Sequence, residues 1–409
     1  MSGGAPTRVD VAIVGGGMVG ASLAGALAGT GLNVALIEAV RADAQAHTSF
    51  DERTTALGNG SQRILATLGA WSALAPVAGP VREIHVSDAG RFGTARLRAS
   101  DLDIAALGYV VSNRHIGAAL WERLASQRGL ELRVPGAVSE VQFGADHVSL
   151  HVAADGAAPE RITARVVVAA DGAASLVRSS SGIGAVVEDY EQVAVVVHVA
   201  TDSAAQGVAY ERFTRTGPLA VLPLHDGRFT VVWTLAPDRA REVLAMDESD
   251  FIDALQRSFG WRIGRMVRVG ARASYPLRLS RSERLTGTRL ALVGNAAQAL
   301  HPVAGQGFNL GLRDAALLAE LFAQAPDPGA PAVLEDYQRR RSADRRGMIG
   351  FTDGLVKLFA SEHPAATSLR ALGLVLFDLT PGAKRALARV SWGFGAHTPR
   401  LMRGLGVRA

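Results

Sequence analysis

The stretch VAIVGGGMVGASLAGALAGTGLNVALIE, residues 11–38, decides the fold. The β-branched run at residues 9–14 predicts a strand, the small residues at 18–28 predict a helix, and residues 34–37 predict a second strand. This order, with a glycine turn after the first strand, is that of the βαβ unit of a dinucleotide-binding fold. We therefore predict an α/β protein with a Rossmann-like domain.

The glycines of this stretch have the spacing G-x-G-x-x-G at Gly15, Gly17 and Gly20, and Glu38 follows Gly20 by 18 residues. In such a motif the first glycine allows a tight turn, the second lets a pyrophosphate approach the backbone, and the third lets helix and strand pack closely. An acid at the end of the second strand accepts hydrogen bonds from ribose hydroxyls, which favours FAD or NAD over NADP. Because strand, helix and acid occur together, we interpret the pattern as a nucleotide site and not as a structural glycine turn.

The composition limits the chemistry that the chain can perform. It has 409 residues, of which 48% are hydrophobic and 20% are charged, as in a globular protein of several domains. It contains no cysteine, which excludes disulfides, thiolate nucleophiles and Cys-ligated metal centres. Redox chemistry would therefore need a bound organic cofactor or a metal without Cys ligands, and we predict no metal site.

The positive charge is concentrated in the C-terminal fifth of the chain. The formal net charge is +5, and residues 331–409 carry 13 basic and 6 acidic side chains. Only Lys357 and Lys384 are lysines among the 43 basic residues, so the excess reflects arginine usage. We predict no nucleic-acid partner.

Residues 11–37 form a 27-residue stretch without a charged side chain, which is long enough to span a membrane. Seven glycines interrupt this stretch and no cationic segment precedes it, so we predict neither a transmembrane helix nor a signal peptide. We expect a cytoplasmic protein that meets the inner membrane only from the side.

The rest of the chain divides into a nucleotide-binding part, a sheet-rich part and a helical tail. Predicted elements include a β-meander at 130–152, a helix at 310–324, a charged helix at 337–346, and apolar amphipathic stretches at 348–360 and 369–379. We predict a discontinuous nucleotide-binding domain at residues 1–80, 100–185 and 275–346, an inserted β-sheet substrate domain at 81–99 and 186–274, and a C-terminal helical region at 347–409.

Two later segments add to the nucleotide site. Asp171 and Gly172 follow a buried strand, and alone such a pair is typical of a turn. The segment GNAAQALHPVAGQGFNLGLRDA, residues 294–315, joins a predicted strand to a predicted helix through G-Q-G. Bare backbone N–H groups therefore face a flat or anionic ligand at a helix N-terminus.

In these residues the sequence resembles the FAD-dependent aromatic hydroxylases, also called class A flavoprotein monooxygenases, and within them the hydroxylases of ubiquinone biosynthesis. Four markers match in order over residues 8–350: the glycine triplet with Glu38, FDERTTAL at 50–57, the Asp171 segment, and HPVAGQGFNLG at 301–311. The resemblance implies a Rossmann-like FAD-binding domain of the aromatic-hydroxylase type with an inserted β-sheet substrate domain and a C-terminal helical tail.

The resemblance also assigns roles to single residues. It implies that Arg53 lies near the flavin edge and that Arg114 lies near the FAD backbone. The predicted FAD-binding set is Gly15, Gly17, Gly20, Glu38, Arg53, Arg114, Asp171, Gly172, Asn295, Gly305, Gln306, Gly307, Phe308 and Asn309. The predicted catalytic set is Arg53, Gln298, His301 and Pro302. For His301, a role in fixing the loop or bordering the flavin is favoured over acid–base chemistry.

One position departs from the family pattern. Most aromatic hydroxylases have Gly-Asp where this chain has Gly294 and Asn295, and their Asp holds a ribityl hydroxyl. Asn keeps the ability to form hydrogen bonds but has no charge. Together with Gln298, Asn295 resembles the branch that hydroxylates 2-polyprenyl-6-methoxyphenol.

The resemblance implies that NAD(P)H reduces a bound FAD and that molecular oxygen supplies one oxygen atom to the ring of a polyprenyl phenol lipid. The sequence shows no second glycine-rich nucleotide fold, which agrees with brief binding of NAD(P)H. The ring pocket is expected around residues 210–213 and 219–223. Two alternatives stay open: a hydroxylase of a sister ring position or another aromatic substrate, and a non-catalytic flavoprotein subunit of a quinone-synthesis assembly.

A polyprenyl phenol resides in the bilayer, and the C-terminal tail has a composition suited to an anionic membrane surface. Its basic and apolar residues alternate: Lys384, Arg385, Arg389, Arg400, Arg403 and Arg408 with Leu387, Trp392, Phe394 and Leu401. We expect them to meet a membrane surface, and the protein to work beside other ubiquinone-biosynthesis proteins. The stretch 348–360 is expected to pack on the nucleotide-binding domain.

Overall fold

The computed structural model describes residues 7–40, 53–153, 159–301, 305–360, 364–394 and 397–408. The strands are Thr7–Val14 (β1), Val34–Ile37 (β2), Thr54–Gly58 (β3), Gly79–Val81 (β4), Glu83–Asp88 (β5), Thr94–Arg98 (β6), Gly108–Ser112 (β7), Leu130–Arg133 (β8), Ala137–Phe143 (β9), Val148–Ala153 (β10), Glu160–Ala169 (β11), Ala185–Thr201 (β12), Val208–Thr214 (β13), Gly217–Pro223 (β14), Phe229–Leu235 (β15), Met266–Val269 (β16), Ala273–Ser282 (β17), Thr286–Gly287 (β18), Leu290–Leu292 (β19) and Gln298–Ala299 (β20). The α-helices are Met18–Ala26 (α1), Asn59–Thr67 (α2), Trp71–Leu74 (α3), Asn113–Ala125 (α4), Leu176–Ser180 (α5), Pro237–Ala245 (α6), Glu248–Phe259 (α7), Gln306–Gln324 (α8), Pro331–Ala360 (α9), Pro364–Asp378 (α10) and Pro381–Ser391 (α11).

An eight-stranded sheet forms the centre of the nucleotide-binding part. Its main path runs β18-β19-β11-β1-β2-β8, and the strands from β19 to β8 on this path are parallel. The predicted βαβ unit is confirmed, because β1 and β2 pair in parallel with Val11 opposite Val34. Val11 and Ile13 have no exposed surface, as expected for a central strand between other strands and helices.

The predicted β-meander at residues 130–152 is wrong in its first strand. β8 extends the parallel sheet beside β2 and does not pair with β9. β9 and β10 form an antiparallel hairpin, and β10 joins the sheet antiparallel to β11. Alternating hydrophobicity predicts a half-buried strand, but the partner of that strand depends on a distant part of the chain.

A nine-stranded sheet forms the second part. Its path runs β20-β17-β12-β15-β14-β13-β5-β6, and β16 also pairs with β12. Helices α6 and α7 cover one face, where Phe251 and Phe259 pack with Val195. The opposite face is turned toward the nucleotide-binding part, because Ala209 of β13 packs with Val110 of a small three-stranded sheet, β3-β7-β4.

The nine-stranded sheet extends further along the chain than the sequence analysis expects. β5 and β6 join it together with β12 to β16. β17 also belongs to it, although residues from 275 onward are assigned by sequence to the nucleotide-binding domain. The reason is that β17 pairs with β12 in antiparallel register from Ser282 to Ala273. The other domain limits stay predictions.

A single helix replaces two predicted ones in the tail. Residues 337–346 and 348–360 both lie in α9, a helix of 30 residues that continues through Gly347. Tyr337 and Met348 are buried, so the helix lies against the rest of the protein over this length. No helix in the described part of the chain combines the length and the apolar character that a membrane span requires.

Some of the residues expected to face a membrane pack against the protein, whereas Arg385, Arg389, Arg403 and Arg408 are exposed. Leu401 is buried, and the indole N–H of Trp392 donates a hydrogen bond to the carbonyl of Leu107 at 2.9 Å. Lys384 is buried and forms an ion pair with Asp378 at 2.8 Å. The expectation is therefore wrong for Leu401 and Lys384, and for Trp392, which is half-buried, it stays a prediction. The tail exposes other apolar side chains instead, at Leu372, Leu376 and Leu379.

Candidate functional site

The first part of the candidate site is the glycine turn between β1 and α1. Gly15 has a φ of +102°, a left-handed conformation that favours glycine, and a Cβ atom there would overlap the backbone carbonyl of Ala170. A Cβ atom on Gly20 would overlap the carbonyl oxygen of Gly15. Gly17 is the N-cap of α1, so the first N–H groups of the helix open onto the turn. The turn therefore has a backbone shape and a helix dipole that suit a pyrophosphate.

Glu38, directly after β2, is held against this turn. Its carboxylate accepts hydrogen bonds from the N–H of Gly16 at 2.6 Å and from the N–H of Val40 at 3.0 Å. The indole N–H of Trp121 on α4 donates to the carbonyl of Gly16 at 3.1 Å. The half-buried carboxylate lies where a nucleotide-binding βαβ unit places its acidic residue.

Asp171 lies on the other side of the turn, beside Gly15. Its Oδ2 accepts a hydrogen bond from the N–H of Val177 at 3.2 Å. Its Oδ1 is buried, and no group of the described residues forms a hydrogen bond with it. Burial raises the pKa of Asp171, while the Ser175 hydroxyl and nearby backbone N–H groups act in the opposite direction. A buried oxygen without a partner indicates a ligand that donates a hydrogen bond, such as a hydroxyl. Gly172 follows and is half-buried.

The turn after β19 approaches the same place. A Cβ atom on Gly311 would lie 2.9 Å from the Cα of Gly294, so α8 packs directly on this turn. Asn295 is exposed in the turn. Arg178 of α5 donates to the carbonyl of Ala296 at 2.9 Å and thereby joins the segment after β11 to the turn. No role for Arg178 is predicted from the sequence, because nothing in its spacing marks the contact.

Gln298, a member of the predicted catalytic set, is buried in β20. Its amide nitrogen donates to Asp314 at 2.7 Å, and its Oε1 is buried without a hydrogen bond among the described residues. Asp314 also accepts from the N–H of Gly294 at 3.3 Å and forms an ion pair with Arg341 of α9 at 2.7 Å. No pattern in the sequence indicates this buried network, since its two charged residues stand 27 positions apart. The network fixes Gln298 and the turn against α8 and α9.

The N-terminus of α8 completes the set. The G-Q-G-F-N sequence forms the cap and first turn of this helix, which begins at residue 306 and not at the predicted residue 310. Gly305 has a φ of +59°, and a Cβ atom there would lie 3.0 Å from that of Ala56. The amide nitrogen of Asn309 donates to the carbonyls of Ala56 at 2.8 Å and Gly305 at 2.7 Å, and its oxygen accepts from the N–H of Gly58 at 2.9 Å. Asn309 thus binds the helix start to β3. Buried or half-buried residues make up the rest of this turn: Gln306, Gly307 and Phe308.

We call these four elements the nucleotide cradle: the glycine turn, Glu38, Asp171 and the first turn of α8. The carboxyl ends of β1, β2 and β11 meet there, at the edge where open α/β sheets bind their ligands. Two helix N-termini attract phosphate, and two carboxylates can accept hydrogen bonds from hydroxyls. The buried Oδ1 of Asp171, which forms no hydrogen bond with any residue that the structure describes, supports the same conclusion. The residues present therefore fit FAD.

The two predicted arginines take different places. The guanidinium of Arg53, just before β3, lies 4.6 Å from the ring centroid of Tyr275 on β17. Arg53 therefore joins the small sheet to the nine-stranded sheet. Arg114 is exposed in the first turn of α4, which the side chain of Ser112 caps. Residues 50–52 of the FDERTTAL motif lie outside the described residues.

His301 is buried after β20, and its ring centroid is 5.2 Å from that of Tyr190. Burial lowers the pKa of His301 to about 4, so the imidazole is neutral at pH 7. A neutral, buried histidine agrees with the interpretation that it fixes the loop, and its catalytic role stays a prediction. Pro302, also in the predicted catalytic set, lies outside the described residues.

Comparison with known proteins bears on the fold, the cofactor and the enzyme class. A family model described as an FAD binding domain matches residues 8–352. The ubiquinone hydroxylase UbiL of Rhodospirillum rubrum is 38% identical over 99% of this chain and 95% of its own length. The 3-demethoxyubiquinol 3-hydroxylase of Escherichia coli is 33% identical over 94% of this chain and 98% of its own length. The crystal structure of p-nitrophenol 4-monooxygenase from Pseudomonas putida DLL-E4 has the same fold, with a TM-score of 0.78 and 20% identity over 93% of this chain and 97% of that one.

These matches confirm the predicted α/β fold, the FAD cofactor and the enzyme class. The family model covers most of the chain, and two relatives above 30% identity match nearly all of it. The chain therefore belongs to the ubiquinone-biosynthesis family of FAD-dependent aromatic hydroxylases.

Proposed function

We propose that the protein hydroxylates the ring of 2-polyprenyl-6-methoxyphenol in ubiquinone biosynthesis, with NAD(P)H as the reductant and molecular oxygen as the source of the oxygen atom. The main support is the nucleotide cradle. It lies beside the face of the nine-stranded sheet that is turned toward the nucleotide-binding part. The names of the two relatives support a polyprenyl phenol as the substrate class. The pair Asn295 and Gln298 supports this ring position.

When bound, FAD supplies the redox chemistry, since it takes electrons from NAD(P)H and activates molecular oxygen. Glu38 would hold ribose hydroxyls, and the N-terminus of α1 would hold the pyrophosphate. Asp171 would accept a hydrogen bond from a cofactor hydroxyl, and the first turn of α8 would lie against the flavin ring. Arg53 would border the reacting ring, because its contact with Tyr275 places it between the two parts of the molecule.

The buried network of Asp314 and Arg341 has a supporting task. It positions Gln298 and the Gly294 turn without reaching the reacting atoms. His301 would act as a neutral group that fixes the loop before α8, because its burial disfavours the imidazolium form.

The exposed leucines of the tail support contact with a membrane surface. Leu372, Leu376 and Leu379 are more than half exposed, with exposed fractions of 55%, 54% and 73%. Burial of these side chains in lipid is favourable, and a bound enzyme could accept the ring while the isoprenoid tail stays in the bilayer. Replacement of all three by Ser should weaken co-sedimentation with anionic liposomes. The double change Val186→Ser and Val187→Ser is the control, since these residues are exposed on another part of the surface. Equal loss in both proteins would argue against this surface.

The ring position is tested by deletion of the gene and mass spectrometry of the accumulated quinone precursor. We expect 2-polyprenyl-6-methoxyphenol to accumulate, and the wild-type gene to restore ubiquinone. A gene carrying Gly17→Val should fail to restore it, because a larger side chain at the turn displaces the pyrophosphate. Accumulation of a precursor that already carries the hydroxyl added in the proposed reaction would indicate that the protein hydroxylates a sister ring position. Purified protein that lacks phenol-stimulated NAD(P)H oxidation would instead support the non-catalytic alternative.

A further inference from the structure

Glu211 lies in the middle of β13, on the face of the nine-stranded sheet that α6 and α7 do not cover. Its neighbour Tyr210 points to the helix side, where its ring lies edge-to-face on Phe259 with centroids 5.5 Å apart. Successive side chains of a strand point to opposite faces. Glu211 therefore shares the other face with Ala209 and Phe213, two residues away on either side.

The strand register places only apolar residues beside Glu211. Val86 of β5 and Ala220 of β14 are its direct partners, and the same row continues into β15 and β12. We call this row the apolar floor: Val86, Ala220, Val232 and Val196. All four are half-buried, although they lie on the inner face of a sheet. Apolar side chains with accessible surface in such a place are typical of a ligand pocket.

The floor is enclosed on two sides. Ala209 packs with Val110 of β7, at one end of this face. Phe213 stacks on Phe359 of α9 with ring centroids 3.6 Å apart, at the other end. Phe213 also packs with Tyr190, whose ring faces His301 in the loop before α8. Since two strand residues span about 7 Å, Glu211 lies within reach of a ring bound beside that loop.

Within the part of the chain that the structure describes, the carboxyl group of Glu211 has no partner in this apolar surrounding. Its Oε1 is buried without a hydrogen bond among the described residues. Burial raises the pKa of Glu211 to about 7, and no neighbouring charge offsets this effect. Two other acidic residues lie near on the packed elements, and both are paired. Asp88 of β5 pairs with Arg370 at 3.4 Å, and Asp353 of α9 pairs with Lys357 at 2.9 Å.

We propose that Glu211 binds the ring hydroxyl of the phenol substrate and accepts its proton. This assignment rests on the proposed function for the identity of the substrate, and on the floor for its geometry. An apolar pocket with one hydrogen-bonding group fixes both the position and the orientation of a phenol. The isoprenoid tail and the methoxy group need no polar partner, so a single acceptor is sufficient.

The proton transfer from the phenol to Glu211 is balanced between these two groups. The phenolic O–H bond breaks, an O–H bond forms on the carboxylate, and the electron pair stays on the phenolic oxygen. The ring thereby gains the electron density that favours attack on an electrophilic oxygen. When the product becomes aromatic, the C–H bond of the hydroxylated carbon breaks and its proton leaves to solvent. The ring oxygen regains a proton from the carboxyl group of Glu211, which regenerates the carboxylate.

The test compares two probes on the FAD-loaded enzyme: 2-prenyl-6-methoxyphenol with one isoprene unit, and its methyl ether, which cannot donate a hydrogen bond. Binding is followed by the absorbance of the flavin. At pH 8 the wild type should bind the phenol roughly tenfold more tightly than the ether, as expected for a hydrogen bond to a charged group. Glu211→Leu should abolish this preference. Glu211→Gln should keep a smaller preference that does not change with pH.

The pH dependence separates binding from simple packing. The ionised fraction of a group with a pKa of about 7 rises roughly tenfold between pH 6 and pH 8. The wild-type preference for the phenol should therefore increase over this interval, and only in the proteins that keep Glu211. Glu242→Gln is the matched control, because Glu242 is an exposed residue of α6. FAD content and melting temperature confirm that each variant is folded.

The possible results separate this assignment from the proposed function. If the wild type prefers the phenol through Glu211 but transfers no oxygen to it, the proposed function fails and the assignment stands. If the wild type hydroxylates the phenol while Glu211→Leu keeps the full preference, the assignment is overturned and the function stands. The absence of any preference in the wild type would also overturn the assignment.

Discussion

The nucleotide cradle and the apolar floor are built in opposite ways. The cradle consists mainly of backbone, since Gly15 and Gly20 leave no room for a Cβ atom and Glu38 binds backbone N–H groups. The floor consists of side chains from separate strands, with one carboxyl group, Glu211, among apolar neighbours. A site made of backbone is sensitive to added atoms, whereas a site made of side chains is sensitive to changes in charge.

The largest effect is expected where an atom is added to the cradle. Gly20→Val should abolish FAD binding and lower the free energy of unfolding by on the order of 5 kcal/mol, because its side chain would overlap the carbonyl of Gly15. FAD content after gel filtration and urea denaturation measure the two effects. Gly347→Ala on the exposed side of α9 is the control, and it should keep FAD and gain about 0.5 kcal/mol. A Gly20→Val protein with stoichiometric FAD would show that the turn is not the pyrophosphate site.

This difference in construction also explains what could be predicted from the sequence. The cradle is visible because its glycines and acids stand at fixed spacings along continuous segments, as at Gly15 and Glu38. The floor is not visible, because its residues come from four strands whose register depends on the folded sheet. The sequence predicts the pocket near residues 210–213, but it does not distinguish Glu211 from Tyr210, whose side chain lies on the opposite face.

The second-largest effect is expected at the buried ion pair of Asp314 and Arg341, which lies beneath the cradle and not in the floor. Asp314→Ala should lower the free energy of unfolding by about 4 kcal/mol, because it removes a partner of Arg341 in a buried place. FAD affinity should fall as well, since Gln298 and the Gly294 turn lose their support. Asp336→Ala, which breaks the partly exposed pairs with Arg339 and Arg340 on the same helix α9, should cost less than about 1 kcal/mol. Urea denaturation measures the free energy of unfolding of both variants. An equal loss in Asp314→Ala and Asp336→Ala would contradict a structural role for the buried pair.

The smallest effect on stability is expected at Glu211 in the floor. There the substitution raises the free energy of unfolding, whereas the changes in and beneath the cradle lower it. The pKa of Glu211 is raised in the folded protein, so the folded state binds more protons than the unfolded state between about pH 4.5 and pH 7. Stability therefore falls as the pH rises through this window. Glu211→Gln removes the titration, and it should raise the free energy of unfolding by about 3 kcal/mol at pH 8 and by less than about 1 kcal/mol at pH 5. A gain of the same size at both pH values would show that the carboxyl group is not held in an apolar place.

The most direct measurement of the combined site is a turnover in ¹⁸O₂ with the FAD-loaded enzyme, NAD(P)H and a polyprenyl phenol in detergent. We predict that the phenol stimulates NAD(P)H oxidation and that the hydroxylated product carries one ¹⁸O atom, as determined by mass spectrometry. Oxidation of NAD(P)H that is independent of the phenol, or a product without the label, would contradict the proposal that this cradle and this floor form the site of a ring hydroxylase.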